Sequence, residues 1–210
     1  MIIFVSGIHT DAGKSYAAGW LAREFAKQGV SVITQKFIQT GNVGSSEDIE
    51  VHRRIMGVGQ LPEDAQGLTA PQIFSYPCSP QLAAEIDGRE IDFNAIDKAM
   101  EELDSRYDVV LLEGAGGLMV PLTVVFWTID YIASRGLPVA LVTNGTLGSI
   151  NHTLLSLEAL ERRAIPLHSV IYNQHFDSRD RRIADDTVNF IRRYLERRHP
   201  STPLMFCPSL

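Results

Sequence analysis

Five short stretches of the chain, residues 2–6, 30–35, 108–112, 139–143 and 168–172, are largely apolar. Each is rich in Val, Ile or Leu and lacks the alternation of a strand with one wet face. Each is therefore expected as a parallel strand covered by helices on both sides. Between them, residues 13–28, 93–103, 150–160 and 183–197 carry apolar positions at helical spacing. The first of these stops before Gly29, a C-terminal capping signal. Alternating strand and helix predicts an α/β fold of three layers with a mostly parallel central sheet. Residues 41–80 break the rhythm with Gly-Asn, Gly-Ser-Ser and several prolines, and are expected as a long irregular loop of functional use. The basic run 192–199 reads as a solvated helix face.

Composition narrows this picture without changing it. A chain of 210 residues suits one domain spanning 1–210, and 45% apolar with 21% charged residues is ordinary for a globular protein. The net charge of -6 argues against general binding to nucleic acid or to an anionic membrane. It leaves room for a local basic site that takes an anionic ligand. Cys78 and Cys207 lack metal-ligand spacing and are too few for a disulfide framework, so a reduced cytoplasmic setting is expected. The opening MIIFVSG has no basic leader and reads as a first strand. No apolar run approaches the ~20 residues of a membrane span.

Candidate chemistry begins at the end of that strand. Gly7-Ile8-His9-Thr10-Asp11-Ala12-Gly13-Lys14-Ser15 follows an apolar strand and opens a helix, the setting of a phosphate-binding loop. Backbone N–H groups of such a loop and of the first helical turn point at phosphates. Lys14 would reach the β- and γ-phosphates, and Ser15 would offer its hydroxyl to Mg²⁺. Five residues separate Gly7 from Gly13, one more than usual, so the loop is a variant. A second signal is Glu113, at the end of a buried strand and followed by Gly114-Ala115-Gly116-Gly117. An acid there sits where a carboxylate helps hold the Mg²⁺ of a nucleotide.

Several segments, in order from residue 2 to about 175, together resemble the dethiobiotin synthetase family. They are Thr10–Ser15, Gln35-Lys36-Phe37-Ile38-Gln39-Thr40-Gly41, Asp48, Tyr76-Pro77-Cys78-Ser79-Pro80, Glu113–Gly117 followed by Pro121-Leu122, Leu147-Gly148-Ser149-Ile150-Asn151-His152, and Tyr172-Asn173. The resemblance implies an ATP-dependent ring closure. One amine of 7,8-diaminononanoate takes up CO₂ as a carbamate, the carbamate attacks the γ-phosphorus of ATP, and the second amine closes a cyclic urea. It implies Lys14, Lys36 and Thr10 as catalytic groups. It implies that ATP is held by Asp11, Ala12, Gly13, Lys14, Ser15, Glu113, Asn173 and Pro208. Mg²⁺ would be held by Ser15, Asp48 and Glu113. The substrate would be held by Thr10, Lys36, Thr40, Gly117, Gly148, Ser149, Ile150 and Asn151, the last four supplied by a second subunit of a homodimer.

Plainer readings stand beside these. Lys36 and Glu113 could be solvated strand-end charges, Asp48 part of an acidic loop, Asn151 a helix cap and Asn173 a turn residue. The chain also departs from the family's pattern. Phe37 stands where proline is common and Asp11 where glutamate is common. Residues 123–127 (Thr-Val-Val-Phe-Trp) replace an acidic turn, and the segment after Pro208 is short. One rival is a regulatory ATPase of the partitioning or division-site type, whose loop carries an early lysine where this chain has His9. A second is a cobyrinate-type amidotransferase, whose glutaminase domain a chain of this length cannot hold.

Overall fold

The computed structural model describes residues 1–209. The strands are β1 (Ile2–Gly7), β2 (Val32–Lys36), β3 (Gln39–Thr40), β4 (Ile73–Phe74), β5 (Val109–Gly117), β6 (Val139–Thr143), β7 (Leu167–Asn173) and β8 (Leu204–Cys207). The helices are α1 (Lys14–Lys27), α2 (Glu47–Met56), α3 (Pro62–Ala65), α4 (Pro80–Ile86), α5 (Phe93–Arg106), α6 (Thr128–Ser134), α7 (Ser149–Arg162) and α8 (Arg181–Arg198). Six strands form one sheet in the order β2-β5-β1-β6-β7-β8, parallel at every pairing, while β3 and β4 form a separate parallel pair.

The five apolar runs became β1, β2, β5, β6 and β7, and their centres are sealed: Ile3, Phe4, Leu111, Leu112, Leu141 and Ile171 have no exposed surface. Connections after β1 run one way along the sheet to β2; those after β5, β6 and β7 run the other way. Right-handed crossovers put such helices on opposite faces. The sheet edge where the two directions part is where α/β proteins bind ligands, beyond the carboxyl ends of the strands.

Three expectations need correction. Residues 41–80 are not one irregular loop, because α2, α3 and β4 lie within them. Ser46 caps α2, its Oγ accepting from the Ile49 N–H at 3.2 Å, and Gly57 ends the helix with φ of 74°. Asp48 therefore stands in the first turn of a helix, where its negative charge faces the helix dipole favourably. Glu113 is not at a strand end either, since β5 continues through four more residues to Gly117. Glycine permits this. A Cβ at Gly114 would meet the Phe4 ring at 2.7 Å, so only glycine lets β5 pass that close to β1. The third correction is β8, an edge strand that the hydrophobic pattern did not signal.

Candidate functional site

Three adjacent strands build the floor. β1 delivers the loop that begins at Gly7, while Lys36 on β2 lies directly beside Glu113 on β5. The loop makes a tight 3-10 turn at Thr10–Ala12, fastened by the Asp11 N–H donating to His9 Nδ1 at 3.0 Å. Gly13 then takes φ of 79° and caps α1. A side chain there would be strained by that backbone and would collide with Asn173 and Phe176. Lys14 curls back over the loop, its Nζ donating to the carbonyls of Thr10 at 3.1 Å and His9 at 3.3 Å. It is 5% exposed. Burial, helped by the nearby Lys36 charge and opposed by Glu113, Asp48 and Asp11, lowers its pKa to about 8.

An acid cluster sits beside it. Ser15 Oγ donates to Asp48 Oδ1 at 2.7 Å and to Glu113 Oε1 at 2.9 Å. Lys36 Nζ bridges Asp48 Oδ2 at 2.5 Å and Glu113 Oε1 at 2.9 Å, and donates to Gly114 O at 3.2 Å. Burial works against the Lys36 charge, yet the two carboxylates outweigh it and raise the pKa. Burial likewise opposes ionisation of Glu113, and Lys36 with His52 overcomes it, holding the carboxyl well below its usual range. The cluster is thus ionic and tightly paired. One hydroxyl and two carboxylates converge on it, a hard oxygen set of the kind Mg²⁺ prefers.

These groups line one cleft of ≈ 440 Å³, whose walls include Thr10, Asp11, Gly13, Thr40, Tyr16 and Phe176. The aromatic wall is ordered: Tyr16 stacks on His175 at 4.4 Å, and Phe176 stands edge-on to both. Asn173 is fully buried, and its Nδ2 donates to Gly13 O at 3.1 Å, which ties the end of β7 to the phosphate loop.

Other expected site residues lie apart from this cleft. Gly117 lines a neighbouring groove with His9, Thr10 and His152. Gly148 and Ile150 line another, with Asp180 and Arg182. Ser149 is buried and donates to Asn144 Oδ1 at 2.7 Å, whereas Asn151 is exposed. Pro208 is exposed just beyond β8 and is not among the residues lining the cleft.

Sequence reasoning missed His52, whose Nε2 lies 2.6 Å from Glu113 Oε2 with both side chains fully buried. The signal was available once α2 is drawn as a helix, because His52 follows Asp48 by four residues and so shares its face. It also missed Tyr16, His175 and Phe176, which no motif marks.

Residues 2–199 match the family model described as an AAA domain. The chain is 49% identical over 201 residues, 96% of its length and 94% of the relative's, to an ATP-dependent dethiobiotin synthetase of Pasteurella multocida. It is 54% identical to one from Haemophilus influenzae, covering 82% of this chain and 90% of that protein. A synthetase of Chlorobaculum tepidum is 48% identical, covering 93% and 82%. Among solved structures, the cell division protein FtsY of Thermotoga maritima aligns with a TM-score of 0.52 at 17% identity, covering 97% of this chain and 60% of that one. A ParA family ATPase of Chlorobium tepidum aligns at 0.51 and 15% identity, covering 98% and 82%. At such identities these two likenesses concern the fold alone. The level of identity to the synthetases, held across nearly the whole of both chains, settles the kinship: this chain belongs to the ATP-dependent dethiobiotin synthetase family.

Proposed function

We infer that the chain carboxylates 7,8-diaminononanoate with CO₂ and closes the ring at the expense of ATP, giving dethiobiotin, ADP and phosphate. The observation that carries this is the meeting of Lys14, Ser15, Lys36, Asp48 and Glu113 in one cleft, in a chain whose curated relatives are synthetases.

The chemistry asks an anion to attack a polyanion, so positioning and charge neutralisation are the main tasks. Backbone N–H groups of residues 13–15 cradle the phosphates, with Lys14 already held over the loop. Mg²⁺ fits the oxygens of Ser15, Asp48 and Glu113 and would supply neutralisation of the β- and γ-phosphates. Lys36 and the hydroxyls of Thr10 and Thr40 hold the carbamate. A carbamate oxygen bonds to the γ-phosphorus as ADP leaves, forming a carbamic-phosphoric anhydride. The second amine then attacks the carbonyl carbon, loses a proton and expels phosphate.

The far carboxylate of the diamine is assigned to the start of α7 in a second copy, through Gly148, Ser149, Ile150 and Asn151. Two things support a homodimer. Gly148 and Ile150 open on a groove of their own rather than on the phosphate cleft, and apolar side chains are exposed at both grooves, with Leu147 87% exposed beside Gly148, and Met119 and Leu155 more than half exposed beside Gly117. Asn173 and Pro208 are assigned to the base end of ATP; the tie from Asn173 to the loop and the aromatic wall beside it support that end. Two free cysteines suit a cytoplasmic, reducing setting. No helix among the described residues is long and apolar enough to cross a membrane. The regulatory ATPase reading is not favoured, because kinship to a ParA ATPase is at the level of fold.

The test is phosphate release from Mg-ATP with and without 7,8-diaminononanoate and bicarbonate, with mass spectrometry of the product. Release that depends on the diamine and yields dethiobiotin is expected. Slow release indifferent to the diamine would overturn the reading.

A further inference from the structure

Glu113 has two carboxylate oxygens and uses them differently. Oε1 accepts from Ser15 and Lys36 and faces the cleft with Asp48. Oε2 faces the other way and meets His52 Nε2 at 2.6 Å. Glu113 is ionised, so the ring nitrogen facing it must bring the hydrogen. The same His52 ring has no other hydrogen-bond partner among the described residues: its Nδ1 is buried and unpaired. The backbone that carries the ring is held close to α1. α2 packs closely on α1 at Gly19, where an added methyl would lie 3.1 Å from His52 Cα.

From this geometry we propose that His52 is a positioning residue for the metal site, holding Glu113 by Oε2 so that only Oε1 is presented to Mg²⁺ beside Ser15 and Asp48. The proposal rests on the reading of Glu113 as a metal ligand given above. Asp48 and His52, one helical turn apart on α2, would then be a ligand and the support of a ligand on the same helix face. Without His52, Oε2 would be left buried with no donor. The carboxylate would be free to rotate, offering both oxygens to Lys36 and drawing that ammonium away from Asp48. Partners that orient a ligand in this way commonly change metal affinity by about ten- to a hundredfold when removed.

The experiment is calorimetric titration of ADP at a series of fixed Mg²⁺ concentrations, with wild type, His52→Leu, His52→Gln and Glu113→Gln. In the leucine variant, the Mg²⁺ needed to tighten ADP binding should rise by about tenfold or more, while ADP affinity without metal stays as in wild type. Glutamine keeps an N–H donor and should restore most of the loss. An unchanged Mg²⁺ requirement in the leucine variant overturns the proposal. So does an equal shift in the glutamine variant, which would mark a packing effect. Imidazole ¹⁵N NMR of the wild-type protein gives an answer independent of variant folding: a proton on Nε2 is expected, and a proton on Nδ1 alone overturns it. If Glu113→Gln also leaves the Mg²⁺ requirement unchanged, the metal assignment itself fails; if only His52→Leu does, the assignment stands and the role of His52 fails.

Discussion

Lys14 is poised by its surroundings in a way that pH can report. Its pKa of about 8 in the free protein reflects burial and the Lys36 charge. Below that pH the ammonium is present to meet a triphosphate; above it the group becomes a neutral amine. Affinity for a non-hydrolysable ATP analogue, measured without metal, should therefore weaken as pH rises from 7 to 9. Lys14→Arg, charged throughout, should flatten that slope. Lys14→Ala should lower diamine-dependent phosphate release by about 10²–10³-fold, the scale of losing one fixed donor to a developing charge. Normal release by that variant would remove Lys14 from the chemistry. The cysteines make a second residue-scale case. Cys207 is buried, and burial pushes its thiol up to about 12, whereas Cys78 is partly exposed. Alkylation of the native protein followed by mass analysis should modify Cys78 and spare Cys207 until the fold is opened.

At the scale of elements, α2 carries more of the site than its sequence advertised. Asp48 and His52 face the acid cluster, while Arg53 anchors the helix: its guanidinium grips Asp64 at 2.7 and 2.9 Å and donates to Thr34 Oγ1 on β2 at 2.9 Å. Both side chains are nearly sealed, at 5% and 9% exposure. Burial favours protonation of Asp64, but donors from Arg53, Leu61 N–H and Thr69 outweigh it and lower the pKa from 3.8. The stability this contributes is present above the unfolded value and is lost as pH falls through the lower folded one. Asp64→Ala should cost about 3–5 kcal/mol in urea unfolding, because Arg53 stays buried without its partner. A loss under 1 kcal/mol would mean the helix is held by packing alone. This helix was hidden in the sequence for a physical reason. Gly44, Ser45 and Ser46 read as loop chemistry, and the ten residues that follow are too short and too polar to show a clear apolar stripe. The strands β1, β2, β6 and β7 were legible because both faces are buried and their centres are rich in Val, Ile and Leu. Glu113 is legible, but the glycines after it look like a turn and so predict a strand end there; only the Phe4 contact explains why β5 keeps going. β8 is an edge strand whose exposed Phe206 and half-buried Leu204 and Met205 give no buried-strand pattern.

At the scale of the molecule, the proposed reading gives phosphate and metal chemistry to the cleft of one chain and leaves the distant carboxylate of the diamine to another group. We propose that this group is the α7 start of a second copy, and such an arrangement has a consequence that can be measured. If each site takes Lys14 from one chain and Asn151 from the other, a hybrid dimer of Lys14→Ala and Asn151→Asp chains has one site with both changes and one with neither. Each parent dimer should be nearly inactive at low diamine, the first for want of phosphate handling. The second fails because an added carboxylate at the helix start repels the substrate's own and cancels the favourable N-terminal field. Random exchange of equal amounts makes half the dimers hybrids with half their sites intact, so about a quarter of wild-type turnover should return on mixing. Recovery requires the subunits to exchange, which a tagged pull-down of the mixture monitors. Exchange without recovery would put the carboxylate site in the same chain as the phosphate loop, and the exposed groove at Gly148 and Ile150 would then need another occupant.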